Sequence, residues 1–318
     1  MAKDKKKKEN ALPEESTANT KEKVKKAKKK RGDRRDGRLV READSMHKFV
    51  GFLLPNRCDN EAVMSELVDM TAVEEFVKMK NADSPDFKYT MFHVICAAVA
   101  KVLYDRPKMN YFYAGNRLYE RNEISFSFVV KRQFVDASEE ALAIIKLDKE
   151  SDVSPLEQIY GKVKKFVTHV RSENKTDGTT DIISVLVKSP RPIMKFIISI
   201  LNFLENRDWL PRDLVEFDPY HSSVFISNTG SIKLSAQYHH LTNWGTNSFF
   251  ILVGEKRLHP FYDENGNVTM KNALELGLTI DERIADGVYF AKSIKLLRKL
   301  LQNPELLELP LQTEIEFE

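Results

Sequence analysis

The chain has 318 residues, 42% of them hydrophobic, with 50 lysines and arginines against 47 aspartates and glutamates. That length supports one large domain or two ordinary ones. Two cysteines, Cys58 and Cys96, exclude a disulfide scaffold and a structural zinc cluster, and they suit a reducing cytoplasm. No run approaches the ~18 apolar residues of a membrane span. The longest, Ile193–Leu204, is interrupted by Lys195 and Asn202. The charged start has no apolar stretch behind it and does not read as a signal peptide.

The near-neutral total hides an asymmetry. Residues 1–40 hold 16 basic against 7 acidic side chains, a net of +9, and the remainder is acidic by 6. With almost nothing apolar to bury, 1–40 reads as a disordered basic tail that binds anionic surfaces weakly. Residues 41–58 then connect to a first strand over Glu66–Met70. A helix follows from Thr71, with Thr71 and Glu74 spaced as a capping box. A second helix starts near Thr90, carries Phe92, Ile95, Val99 and Val102 on its apolar face, and stops at Pro107. His93, within it, reads as a packed structural histidine, and Cys96 as a small core residue.

Tyr111–Ala114 and Arg117–Arg121 flank an Ala-Gly-Asn turn and predict a hairpin. Ser125–Val130 and Leu142–Leu147 predict two more strands. Ser154, Pro155 and Glu157 are spaced as N-cap, first position and N3 of a helix whose stripe is Ile159, Val163, Phe166, Val167 and Val170. Glu173–Thr180 reads as a loop. Residues 181–218 read as a helical, apolar segment broken at Pro190 and Pro192, with Ile193–Leu204 expected to be buried in a contact and a membrane-surface role as the alternative. Strands return at Ser223–Ser227 and Phe249–Val253. Asn265-Gly266 predicts a type I′ hairpin turn. Leu274–Ile280 is a strand, and a final helix runs from about Asp286 to Leu301. The order of elements argues for an α/β domain.

Between that last strand and helix lies Asp281-Glu282-Arg283-Ile284-Ala285-Asp286-Gly287. It resembles the D-H-R-x-x-D-G signature of dihydrolipoyl acyltransferases and the H-x-x-x-D-G of chloramphenicol acetyltransferases. Phe225-Ile226-Ser227-Asn228-Thr229-Gly230 resembles the F-T-I-S-N-L-G element of the same family, ~55 residues upstream as the family has it. Phe249–Glu255, Leu296–Pro304, Val68–Thr71 and Arg106–Asn110 resemble further family elements, so the likeness covers about 60–305. It implies a chloramphenicol acetyltransferase-like two-layer α/β sandwich with a mixed sheet over 41–318, assembled as a homotrimer with active sites between subunits. The family's lipoyl and subunit-binding domains have no counterpart in the sequence, so a lipoyl group would have to be supplied in trans.

The resemblance also implies a chemistry. An acyl group moves between coenzyme A, or a lipoyl thiol, and a thiol, hydroxyl or amine acceptor. Ser227 matches the serine that donates to the tetrahedral oxyanion, with Asn228 beside it. Asp286 matches the aspartate that organises the loop through an arginine, for which Arg57 is the candidate. Gly287 would permit close backbone approach. The family's catalytic histidine is Glu282 here. Three readings stay open: Glu282 as base with a pKa raised by burial, His239 or His240 as base, or a site that has lost transfer and binds an acyl-coenzyme A or a partner as a regulatory subunit. No residue spacing suggests a metal.

Overall fold

The computed structural model of the protein describes residues 29–131, 140–172, 189–216 and 218–317. The predicted loop at 173–180 and the start of the 181–218 segment lie outside them. The elements run β1 (Gly37–Leu39), α1 (Ser45–Leu53), β2 (Glu61–Asp69), α2 (Thr71–Lys80), α3 (Met91–Asp105), β3 (Tyr111–Ala114), β4 (Arg117–Arg121), β5 (Ile124–Lys131), β6 (Glu140–Leu147) and α4 (Pro155–Ser172). They continue with α5 (Arg191–Asn206), α6 (Arg212–Glu216), β7 (Val224–Asn228), β8 (Phe249–Val253), β9 (Arg257–Tyr262), β10 (Val268–Asp281) and α7 (Gly287–Gln302).

A seven-stranded sheet has the order β2-β10-β8-β7-β5-β6, with β9 paired to β10. It is mixed: β7 is parallel to β5 and β8, and the other pairings are antiparallel. Alternation along the strands divides their side chains between two faces. Leu274, Leu276, Leu278 and Ile280 of β10, Phe249 and Ile251 of β8, and Ile226 of β7 face the main core. There they meet Ile95 and Val99 of α3, Ile159 of α4, and Leu297 and Leu301 of α7. The opposite face buries a smaller cluster of Phe225, Phe250, Leu252 and Leu241. This is the expected two-layer sandwich with a mixed sheet.

The folded unit starts earlier than the charge pattern suggested, at Gly32 rather than residue 41. Gly37–Leu39 pair with β4 in a small second sheet, β1-β4-β3. The Arg34 guanidinium is buried between the Asp36 carboxylate at 2.8 Å and the Glu205 carbonyl at 2.7 Å. A basic residue counted with the tail is therefore a structural tie, because its charge is paired and its donors are satisfied.

The α2 capping box does not form: Asp69 accepts from the Thr71 amide at 3.0 Å, and Glu74 reaches Lys256 and Asn272 instead. At α3 the box does form, with the His93 ring as the reciprocal partner, accepting the Thr90 amide at 3.0 Å. Burial pulls His93 down to about 4, so it stays a neutral, structural side chain. Cys96 is fully buried, which raises its thiol well above the ordinary range. Of the two hairpin turns, Gly115 (φ 53°) and Asn116 (φ 62°) are both left-handed, the geometry a two-residue turn wants. The Asn265-Gly266 turn is not type I′: only Gly266 has positive φ, and the Asp263 side chain holds the Asn265 and Asn267 amides. Pro190 and Pro192 stand at the start of α5, as N-cap and first-turn residues.

Candidate active site

β10 ends on Asp281, a single turn of 3-10 helix covers Glu282–Ile284, and α7 begins at Gly287. The first half of this segment turns inward. The Asp281 carboxylate is fully buried and accepts from Arg283 Nε at 2.8 Å and Nη2 at 2.6 Å. Arg57 Nε lies 3.8 Å from its other side, so two guanidiniums share one carboxylate. Burial pulls Arg57 below its ordinary value, and Asp281 opposes that shift. Arg57 also donates to the carbonyls of Thr242 at 2.6 Å and Tyr113 at 2.9 Å, while Arg283 reaches the Leu54 carbonyl at 2.7 Å. The arginine tie is thus made to Asp281, a residue the motif supplied without a role.

The second half of the segment turns outward. Asp286 is exposed and accepts the Tyr289 amide at 2.9 Å as N-cap of α7. That hydrogen bond, more than any cation, lowers its carboxyl below the usual range. The expected Arg57 pairing goes to Asp281 instead, since Arg57 is buried with it at the other end of the turn. Gly287 meets nothing where a Cβ would sit, so within one chain it serves no close approach. Glu282 is exposed, and its amide donates to the Asn60 carbonyl at 2.9 Å.

The other candidates sit on the second sheet face. The segment after β7 crosses it, and Gly277 of β10 makes room: a Cβ there would lie 2.1 Å from the Gln237 carbonyl oxygen. Further along, the His239 ring stacks on Phe250 at 4.1 Å between centroids and on His240 at 4.6 Å. His239 Nδ1 lies 2.8 Å from the His240 carbonyl. A carbonyl only accepts, so Nδ1 carries the proton and Nε2 is left with its basic lone pair. The Glu61 carboxylate takes the Leu241 amide, and Arg57 takes the Thr242 carbonyl, fixing the segment from below. Glu61 carried no signal in the sequence.

Phe225 stacks on Phe250 at 4.7 Å, and Ser227, two residues on, shares that face and is half-buried. Asn228 is exposed and bonds the Ser231 amide at 3.1 Å, which makes it a turn-former. Register places Ser227 opposite Leu252, and Leu252 opposite Gly277. Glu282 is five residues beyond Gly277 and two strands away, ~19 Å from Ser227 by strand geometry. The Phe250 that carries His239 is one strand away and two residues along, ~8 Å from Ser227 by the same measure. The histidine segment thus shares a sheet face with Ser227, but His239 stacks on the side of Phe250 away from Phe225, and the tie of Leu241 to Glu61, which pairs with Asp281, leads the segment toward the end of β10 where Glu282 lies. Among the described residues no cluster of His, Cys, Asp or Glu is arranged to hold a metal ion.

Residues 214–309 match the acyltransferase catalytic domain of 2-oxoacid dehydrogenases. The lipoamide acyltransferase component of the branched-chain alpha-keto acid dehydrogenase complex of Bacillus subtilis (strain 168) is 20% identical over 238 residues, which is 75% of this chain and 45% of that protein. The chain thus spans a little under half the length of that relative. A probable dihydrolipoamide acetyltransferase from Listeria monocytogenes 4b F2365 superposes with a TM-score of 0.53 at 16% identity, over 86% of this chain and 92% of that one. The dihydrolipoamide acetyltransferase of Azotobacter vinelandii gives 0.53 at 17%, covering 84% and 93%. A chloramphenicol acetyltransferase gives 0.50 at 10%, covering 84% and 98%. Residues 214–309 thus match the acyltransferase catalytic domain of 2-oxoacid dehydrogenases, and the chain has the fold shared by those catalytic cores and chloramphenicol acetyltransferase.

Proposed function

We propose that the protein is an acyltransferase that moves an acyl group between coenzyme A, or a lipoyl thiol supplied in trans, and a thiol, hydroxyl or amine acceptor. The observation that carries the reading is His239: its Nε2 is held as the basic tautomer on the same sheet face as Ser227. Nε2 takes the acceptor's proton, and the acceptor attacks the thioester carbonyl carbon. The carbonyl electron pair moves onto oxygen, which the Ser227 hydroxyl stabilises by donating a hydrogen bond. Collapse re-forms the carbonyl, breaks the carbon–sulfur bond, and the departing thiolate recovers the proton from His239. Arg57, through Thr242, and Glu61, through Leu241, position the histidine segment.

A second reading keeps Glu282 as the base. It is exposed at the sequence position of the family histidine, and it is too far from Ser227 of its own chain. A homotrimer that sets Glu282 of one copy against Ser227 of the next would complete such a site. The setting proposed is a reducing cytoplasm, which suits two unpaired cysteines, one exposed and one buried.

The test is release of coenzyme A from acetyl-coenzyme A with dihydrolipoamide and with small amine and alcohol acceptors, for the wild type and for His239→Ala, His240→Ala, Glu282→Ala and Ser227→Ala. Loss of about 10²–10⁴ in turnover with His239→Ala and a comparable loss with Ser227→Ala is expected. A loss confined to Glu282→Ala and Ser227→Ala would move the base to Glu282 and the site to the subunit boundary. Binding of acetyl-coenzyme A without turnover would leave a regulatory subunit that holds an acyl thioester.

A further inference from the structure

Nothing in the acyl-transfer reading uses α5, a longer helix than α1 that, like α1 with Met46, Phe49, Phe52 and Leu53, leaves large apolar side chains exposed. Twelve of its 16 residues fall in three sectors at 100° per residue, with Ile198, 43% exposed, outside them. Met194, Ile197, Leu201 and Leu204 form one, each partly buried against the body. Arg191, Lys195, Ser199 and Asn202 form a polar sector. Between them Ile193, Phe196, Ile200 and Phe203 recur at helical spacing, 52%, 67%, 42% and 49% exposed. The expectation that this apolar run is buried is not met within the chain, because the helix is wider in apolar character than the groove that receives it.

The exposure does not come from a loosely held helix. At its C-terminal end the Glu205 side chain is buried, its carbonyl accepts Arg34 Nη1 at 2.7 Å, and its carboxylate faces His221 Nε2 at 3.4 Å. Asn206 Oδ1 accepts the Gly115 amide at 3.1 Å. The stripe is therefore held outward in a fixed direction.

Beyond the helix, Trp209 is 63% exposed and meets the Phe203 ring edge-on at 6.3 Å, while the Arg207 guanidinium lies 3.7 Å over Phe203. An apolar stripe flanked by cations, with a tryptophan at its end, has the composition of a helix that lies in a lipid headgroup interface. Charge selects the surface. The only acidic residue of α5 is the buried Glu205, and its exposed ionic groups, Arg191 and Lys195, are both cationic. Packing of this helix on its own copy would set those cations near each other with no exposed carboxylate on the helix to answer them. An anionic bilayer answers them directly, and the +9 charge of residues 1–40 adds a second attraction of the same sign.

We propose that the exposed stripe of α5, with Trp209, docks on an anionic lipid surface. Among the described residues no helix is long and apolar enough to cross a membrane, so the contact is a peripheral one. It is independent of whether the site transfers acyl groups.

The experiment is sedimentation of the full chain with phosphatidylcholine vesicles, with and without a one-third share of phosphatidylglycerol, at low and high salt. The wild type is expected to sediment with the anionic vesicles and to be released as salt rises. The pair Phe196→Ser with Phe203→Ser is expected to weaken binding by at least about tenfold, from the apolar area withdrawn. Ser199→Ala with Asn202→Ala, on the polar sector, is expected to stay within about twofold, since neither change removes a charge or apolar area. The variants touch only exposed side chains, and far-ultraviolet circular dichroism checks that they fold. A blue shift of tryptophan emission on adding anionic vesicles, absent in Trp209→Phe, is expected in parallel. Failure of the wild type to sediment with either vesicle overturns the proposal, as does sedimentation that the Phe196/Phe203 pair leaves unchanged. So would light scattering in which that pair splits a larger assembly of a wild type that ignores vesicles, which would assign the stripe to self-association.

Discussion

Two segments flank the end of β10, and they divide the work in opposite ways. Asp281–Gly287 carries the recognisable signature, yet its buried half is a scaffold: Asp281 with Arg57 and Arg283 binds Leu54, Tyr113 and Thr242 into one corner. Its exposed half, Glu282 and Asp286, touches little of its own chain beyond a helix cap. The histidine segment has the simpler sequence and the more chemical geometry, a stacked imidazole with one nitrogen tied and the other available.

The comparison is broken most decisively by activity. If His239→Ala leaves turnover intact while Glu282→Ala costs about 10²–10⁴-fold, the two segments exchange roles. Stability should respond the other way round. Asp281→Ala would leave two buried guanidiniums around a missing carboxylate and is expected to cost about 3–5 kcal/mol in urea unfolding. Glu282→Ala, on the exposed side, should stay within about 0.5 kcal/mol in the same measurement.

A pH series sharpens the contrast between buried and exposed titrating groups. His93 is held near 4 by burial against an ordinary value of 6.5, so the unfolded chain binds its proton first as pH falls. Stability attributable to His93 is whole above about 6.5 and is lost progressively down to about 4, to an extent of roughly 2–3 kcal/mol. Thermal melts of His93→Gln should show a flatter profile across that window, and an unchanged profile would remove His93 as its source. The smaller expected effect is at Gly277, where an added Cβ presses on the Gln237 carbonyl. Gly277→Ala should cost about 1–3 kcal/mol and should lower turnover by shifting His239. Retained turnover would detach the histidine segment from the reaction.

Much of the fold was legible in the chain because periodicity and punctuation are local. The strand of β8, the N-cap and Pro155 start of α4, and the stripe of α7 are written in consecutive residues, and the structure places them there. Misreadings came where a distant partner outbid a local one. Asp69 took the amide assigned to the Thr71 cap, and Glu74 went to Lys256 and Asn272. Arg34 left the tail for Asp36 and Glu205.

By itself the sequence determined the class of the domain, the order of its elements, and the position of the signature with glutamate in place of histidine. Only the tertiary structure decided that Asp281 rather than Asp286 takes the arginines, that His239 shares a face with Ser227 while Glu282 lies in the turn beyond the end of β10, and that the apolar stripe of α5 faces out. Each of these depends on burial and strand register between residues far apart in the chain. Burial decides which charges must pair, and register decides which side chains share a face.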